Sequence, residues 1–305
     1  MSSPFYNSLL RHIKREKVSF HTPGHKQGKG FPKKFREFLK ENLFKMDVTV
    51  LEDIDSIHFP EKELKEAEKL LAKLYNARHS FFLVNGSTEG NIAVILSQFS
   101  SGDSILVSRM VHRSVISGMI LAGVWPVWMK PEVLEGENII LECSSEIVEK
   151  YLKEFPEVKA VFITSPTYNG VIPDLKEISR ITHKYEKLLI VDEAWGPHLK
   201  FLENGFSAEE SGADIVIQSF HKVFPVFSQG SVLHVFSDKI DIEKLREVLS
   251  FLHTTSPFYP NIAVMDWVRD YFEKRGKLLV EKLFEVGKYA IKRLSEVQDI
   301  KVFSP

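Results

Sequence analysis

From about residue 60 onward the sequence alternates short, nearly all-apolar runs with longer segments whose apolar residues recur every three to four positions. This alternation constrains the fold more than any other feature, because apolar runs without a polar face must be covered on both sides. The runs Ser80–Val84, Ser104–Val107, Trp125–Met129, Ala160–Thr164, Leu188–Val191, Asp214–Gln218 and Ser231–Phe236 are predicted strands. Predicted helices lie between them at about 85–99, 113–122, 146–154 and 175–185. Pro60 is expected to open an earlier helix with the stripe Leu64, Ala67, Leu70, Leu71 and Leu74. The class is α/β, three α/β/α layers around a mostly parallel sheet.

Outside this rhythm the expectations are coarser. The first forty residues lack a clear period and contain HTPGHKQGKGFP, a turn-rich stretch expected to be a loop or arm. Three helical stretches are expected between about Asp241 and Val297. The final IKVFSP reads as a strand that begins as the chain stops. A lone strand needs a pairing partner, so something that should pair with it is expected to be missing.

Composition narrows the partners. With 40 basic and 41 acidic residues, a formal net charge of -1, nothing draws the chain toward nucleic acid or anionic lipid. The single Cys143 allows no internal disulfide, and the N-terminus carries charges where a signal peptide needs an apolar core, so a cytoplasmic location is expected. The longest uncharged run, Val115–Met129, holds two glycines and a proline and falls short of the ~20 residues of a membrane helix.

In open α/β sheets ligands sit outside the carboxyl ends of the strands, so the residues just after each strand matter most. Asn85-Gly86-Ser87-Thr88-Glu89-Gly90-Asn91 leads from a strand into a helix, which suits a phosphate cradle or an unliganded helix cap. Asp192, followed by Glu193-Ala194-Trp195-Gly196, suits a metal, a base, a protonated ring nitrogen or a purely structural role. Ser219-Phe220-His221-Lys222 places a lysine before the apolar Val223–Phe227, where an amine can lose its proton and act as a nucleophile. His112 could stack on a ring or cap a helix. Together, a phosphate loop, a strand-end Asp and a strand-end Lys supply what pyridoxal phosphate needs: a helix N-terminus for the phosphate, an anion for the pyridine nitrogen, and an amine for the Schiff base.

Two rivals fail on the sequence. GHKQGKG at 24–30 has three residues between its first two glycines and no Ser or Thr after the lysine, unlike a nucleotide triphosphatase loop. His21 and His25 have the i, i+4 spacing of a helical zinc site, but Pro23 and Gly24 oppose the helix, so no metal is expected.

The segments HTPGHKQG, FFLVNGSTEGN, SRMVHRSVISG, SPTYNGVIPDL, LLIVDEAWGPH, ADIVIQSFHK, SQGSVLH and TTSPFY resemble those of the bacterial Orn/Lys/Arg decarboxylases, which have the fold type I of aspartate aminotransferase. The resemblance implies Schiff-base Lys222, ring-nitrogen partner Asp192, ring-stacking His112, and phosphate contacts from the Gly86, Ser87 and Thr88 loop, Ser219 and His221. Ala194 would lie against the ring and Thr167 would line the pocket. It further implies decarboxylation of lysine, ornithine or arginine to a polyamine-type amine and CO2, in a homodimer where Thr255 and Ser256 serve the neighbour's site. In that reaction Lys222 or His221 could return a proton to the α-carbon. An aminotransferase, a lyase and a non-catalytic remnant are the alternatives. The implied domains are an arm over 1–45, a cofactor-binding unit over 46–275, and a linking helix with the start of a truncated C-terminal domain over 276–305. Several positions depart from the family: Trp195 stands where many members have His, Phe220 where Thr is usual, and Thr49-Val50-Leu51 where a Thr-Glu-Leu segment is usual. Glu52, Asp53 and Asp55 are the acidic candidates for receiving a basic substrate tail, or else a solvated acidic turn.

Overall fold

The computed structural model describes residues 3–15, 18–134, 136–137, 139–203 and 206–303. The strands are β1 (His79–Leu83), β2 (Ser104–Ser108), β3 (Trp125–Met129), β4 (Val133–Leu134), β5 (Ile139–Ile140), β6 (Ala160–Thr164), β7 (Leu188–Asp192), β8 (Ile215–Gln218) and β9 (Ser231–Val235). The helices are α1 (Pro4–Arg15), α2 (Lys33–Met46), α3 (Glu63–Leu74), α4 (Gly86–Gln98), α5 (Arg113–Ala122), α6 (Ser145–Glu154), α7 (Leu175–Lys184), α8 (Phe220–Val223), α9 (Ile242–Leu252) and α10 (Tyr259–Ser295).

Seven strands form one sheet in the order β1-β9-β8-β7-β6-β2-β3, while β4 and β5 make a separate hairpin. Only β9 runs antiparallel to its sheet neighbours, so β1 points the same way as the five parallel strands. Successive side chains of a strand face opposite sides, and here both sides are covered. Phe81, Phe162, Ile190, Ile217 and Leu233 pack against α4, α5 and α9. Their alternates Val161, Ile163, Val191 and Val216 pack against α6 and α7, and Phe82 and Val232 against α3 and α10. The predicted three-layer architecture is therefore the observed one. Pro126 is tolerated in β3 because that strand is at the sheet edge.

The structure departs from the sequence reading mainly at the ends. The first forty residues contain α1 and the start of α2 rather than a loop alone. The turn-rich segment between them docks on the loop after β8: the Gly24 N–H donates to the His221 carbonyl at 2.6 Å. A Cβ on Gly24 would meet the Phe224 carbonyl oxygen at 2.3 Å, so only glycine permits that approach. α3 begins at Glu63 rather than at Pro60, because Asp55 takes the amides of Glu61, Lys62 and Leu64 and holds the preceding residues in a turn. Two helices, not three, follow β9: Pro260 falls in the first turn of the second, where it is tolerated, and Gly276 and Gly287 do not break the helix over 259–295. Residues 301–303 form no strand, and the rest of IKVFSP after them lies outside the described residues. Among the described residues, no helix is long and apolar enough to cross a membrane.

Phe162 is wholly buried at the centre of the sheet. Phe162→Ala is expected to cost about 3–5 kcal/mol, read as a lower denaturant midpoint without a change in slope.

Candidate active site

Because β9 alone is reversed, the carboxyl ends of β1, β2, β7 and β8 open on one edge of the sheet, and the residues leaving them enclose a cavity of about 270 Å³. After β1, Gly86, Ser87 and Thr88 reach it as the first turn of α4. Gly86 has φ 75, a conformation that favours glycine, and its N–H donates to the Gln229 carbonyl at 3.0 Å. The Asn85 side chain does not cap the helix but donates to the Leu252 carbonyl at 2.9 Å, leaving the opening amides of α4 on the cavity side. Glu89 would place a charge in this first turn, but it is buried and turned away. It accepts the Val84 and Asn85 amides at 3.1 Å each and pairs with His253 Nδ1 at 2.8 Å.

Ser219, His221 and Lys222 enter from the other side of the reversed strand. The Ser87 and Ser219 hydroxyls lie 2.7 Å apart and so join the two loops. His221 donates from Nδ1 to the Gly230 carbonyl at 2.9 Å, and burial lowers its pKa. Burial also lowers the pKa of Lys222, opposed by the charge of Asp192. The Lys222 ammonium lies 4.6 Å from the centre of the Trp195 ring, a cation–π contact.

Asp192 ends β7 with 2 % of its surface exposed. Its Oδ2 accepts from Asn91 Nδ2 at 2.9 Å and its Oδ1 from the Ala194 N–H at 3.1 Å. Burial raises its pKa, while the Asn91 amide, then the Lys222 charge, and further the Ala194 amide and His112, pull it back. His112 Nδ1 caps α5 by accepting the Ser114 N–H at 3.3 Å, and the residue also lines the cavity.

The cavity thus collects every cofactor-site residue named from the sequence except Thr167. Thr167 is buried in its own turn, accepting the Val171 N–H at 3.1 Å. Gln229 is a lining residue that sequence reasoning missed; its only signal is its place beside Gly230, in the SQGSVLH segment. The acidic tail candidates do not reach the cavity. Asp53 and Asp55 line a larger apolar groove of about 590 Å³ between α2, α3 and α10. Burial raises the pKa of Asp55, but the amides of Glu61, Lys62, Leu64 and Ser56 outweigh it and the net shift is downward. Thr255 and Ser256 are exposed and are not part of this chain's own cavity.

The model of the Orn/Lys/Arg decarboxylase major domain matches residues 3–305. The chain belongs to that family. An arginine decarboxylase of Bacillus anthracis is 32% identical over 299 residues, covering 98% of this chain and 61% of the relative. The chain therefore spans somewhat under two thirds of that protein's length. The solved constitutive lysine decarboxylase of E. coli superposes with a TM-score of 0.74 at 25% identity, over 99% of this chain and 46% of that one. A serine palmitoyltransferase of S. paucimobilis, solved with a bound PLP–myriocin aldimine, shares the fold with a TM-score of 0.62 at 18% identity, covering 86% and 65%. The architecture is that of the fold type I pyridoxal phosphate enzymes.

Asp192→Asn removes the anion that favours the charged Lys222. The pH midpoint for acylation of Lys222, followed by competitive labelling and mass spectrometry, should move to lower pH; a move to higher pH would contradict the coupling.

Proposed function

We propose that this chain binds pyridoxal 5'-phosphate in the cavity and decarboxylates a basic amino acid, lysine, ornithine or arginine, to CO2 and the corresponding amine. The observation that carries the reading is the convergence of an amine, a buried carboxylate and a helix N-terminus on one cavity in a member of this family. The donor set suits the cofactor. The first turn of α4, with Ser87, Thr88, Ser219 and His221, suits a phosphate dianion. Asp192 is a buried acceptor that a protonated ring nitrogen would satisfy, and Lys222 is an amine whose charge is weakened by burial. His112 and Ala194 are the residues to contact the ring faces, and Thr167 supports the loop beside them.

When bound, the cofactor supplies an electron-accepting ring for the electron pair left as the carboxylate departs. The chain's own residues do the rest. Asp192, as an anion, keeps a proton on the ring nitrogen. Lys222 Nζ anchors the cofactor covalently and is the better donor for returning a proton to the substrate α-carbon. His221 commits its Nδ1 proton to the Gly230 carbonyl, and its lowered pKa leaves Nε2 an acceptor. The free Lys222 ammonium rests against the Trp195 ring face. Residues 46–275 serve as the cofactor-binding unit, 1–45 as an arm, and 276–305 as the link toward a C-terminal domain. The working form is a cytoplasmic homodimer, and the exposure of Thr255 and Ser256 outside this chain's own cavity agrees with their serving a neighbour's site.

Protein loaded with pyridoxal phosphate should show a near-visible absorbance band that borohydride fixes onto Lys222. Lys222→Ala should abolish both the fixation and the release of labelled CO2 from lysine, ornithine or arginine. Amino transfer to a keto acid, with no CO2 from any of the three, would turn the reading to an aminotransferase.

A further inference from the structure

Asn91, on the second turn of α4, is wholly buried, and its Nδ2 donates twice, to Asp192 Oδ2 and to Ser114 Oγ, both at 2.9 Å. Its own Oδ1 is buried without a partner. A buried amide that leaves its oxygen unsatisfied is held in that orientation by its nitrogen's bonds. Turning it over would set two acceptors, Oδ1 and the Asp192 carboxylate, against each other. Ser114 Oγ accepts from Asn91, so its own proton is free for His112 Nδ1 at 2.8 Å. The Ser114 N–H points at the same Nδ1 at 3.3 Å as the cap of α5. A ring nitrogen facing two donors is an acceptor, which puts the ring proton on Nε2.

We propose that Asn91 and Ser114 are positioning residues of this same site, a role that presupposes the cofactor reading above. They join Asp192 and His112 in one hydrogen-bond chain, Asp192–Asn91–Ser114–His112, that keeps Asp192 an acceptor and His112 the Nε2–H tautomer. One residue on each of two adjacent helices thereby sets both groups that would meet the cofactor ring. The Asn91 amide is also the strongest influence opposing burial at Asp192, which agrees with this geometry. Neither Asn91 nor Ser114 lines the cavity, so neither would touch the cofactor itself.

The test uses the full chain in two states. In cofactor-free protein, ¹⁵N NMR of the histidine rings, assigned with His112→Asn, should show His112 Nδ1 unprotonated and Nε2 protonated. Ser114→Ala should move the Nδ1 signal, and Ser114→Thr, which restores the hydroxyl, should return it. Asn91→Leu, close in volume and without donors, should weaken pyridoxal phosphate binding roughly ten- to a hundred-fold in an equilibrium titration, the scale of a lost hydrogen bond to a charged group. If Asn91→Leu does not fold, Ser114→Ala, which keeps the capping amide, should weaken binding in the same direction. A wild-type His112 with its proton on Nδ1, or a folded Asn91→Leu with unchanged ring signals and unchanged affinity, would overturn the chain. Wild-type protein that binds no pyridoxal phosphate while its His112 signals follow the pattern would overturn the cofactor reading and leave the chain standing.

Discussion

A sheet covered on both faces has only its strand ends on which to present polar atoms, and the rest of this structure follows from that constraint. Between their ends the residues of β1, β2 and β6 to β9 are buried, most of them among apolar side chains, and only the edge strand β3 leaves interior positions exposed. Where the strands stop, backbone groups become unpaired in a still-buried setting and need partners. The chain supplies buried carboxylates. Glu89 takes the amides that follow β1. Glu142 takes the Ser108 hydroxyl at the end of β2 and the Thr164 N–H at the end of β6. Glu193 takes the Ala208 N–H and the Gln218 side chain beside β7 and β8. Burial raises the pKa of Glu142, and it pushes Glu193 up to about 8, as expected of acids whose hydrogen bonds do not fully replace water.

Asp192 belongs to the same row but has a different role. The other carboxylates are spent on the protein's own donors, whereas Asp192 keeps a face on the cavity together with Lys222 and His112. Burial raises its pKa, and the Asn91 amide, the Lys222 charge and the Ala194 amide act against that shift. The catalytic candidates therefore differ from their structural neighbours in access, not in residue type.

The parts of the fold legible in the sequence were those sealed on both faces. Runs such as AVFIT and LLIVD leave no other reading, and their boundaries hold to within a residue. The first forty residues were less legible, because α1 buries nothing and α2 buries only Leu39, so neither shows a core stripe. The β4–β5 hairpin was missed although Gly136, at φ 80, stands between two apolar pairs in VLEGENII. At the site, charged and strand-end residues could be read one by one, while Asn91 and Ser114 could not. A neutral amide and a hydroxyl inside helices look like ordinary helix residues until the neighbouring helix brings their partners within reach.

The seating of Gly24 against the His221 carbonyl bears on how the molecule is made. The short helix α8 that carries Lys222 is met by a segment about two hundred residues earlier in the sequence, and β1 likewise pairs with the distant β9. Contacts of such long sequence separation form late and slowly. On a ribosome, the segment around Gly24 has nothing to close on until residues 220–224 have emerged, so the cavity is assembled only after β8 and the helix that follows it have been made.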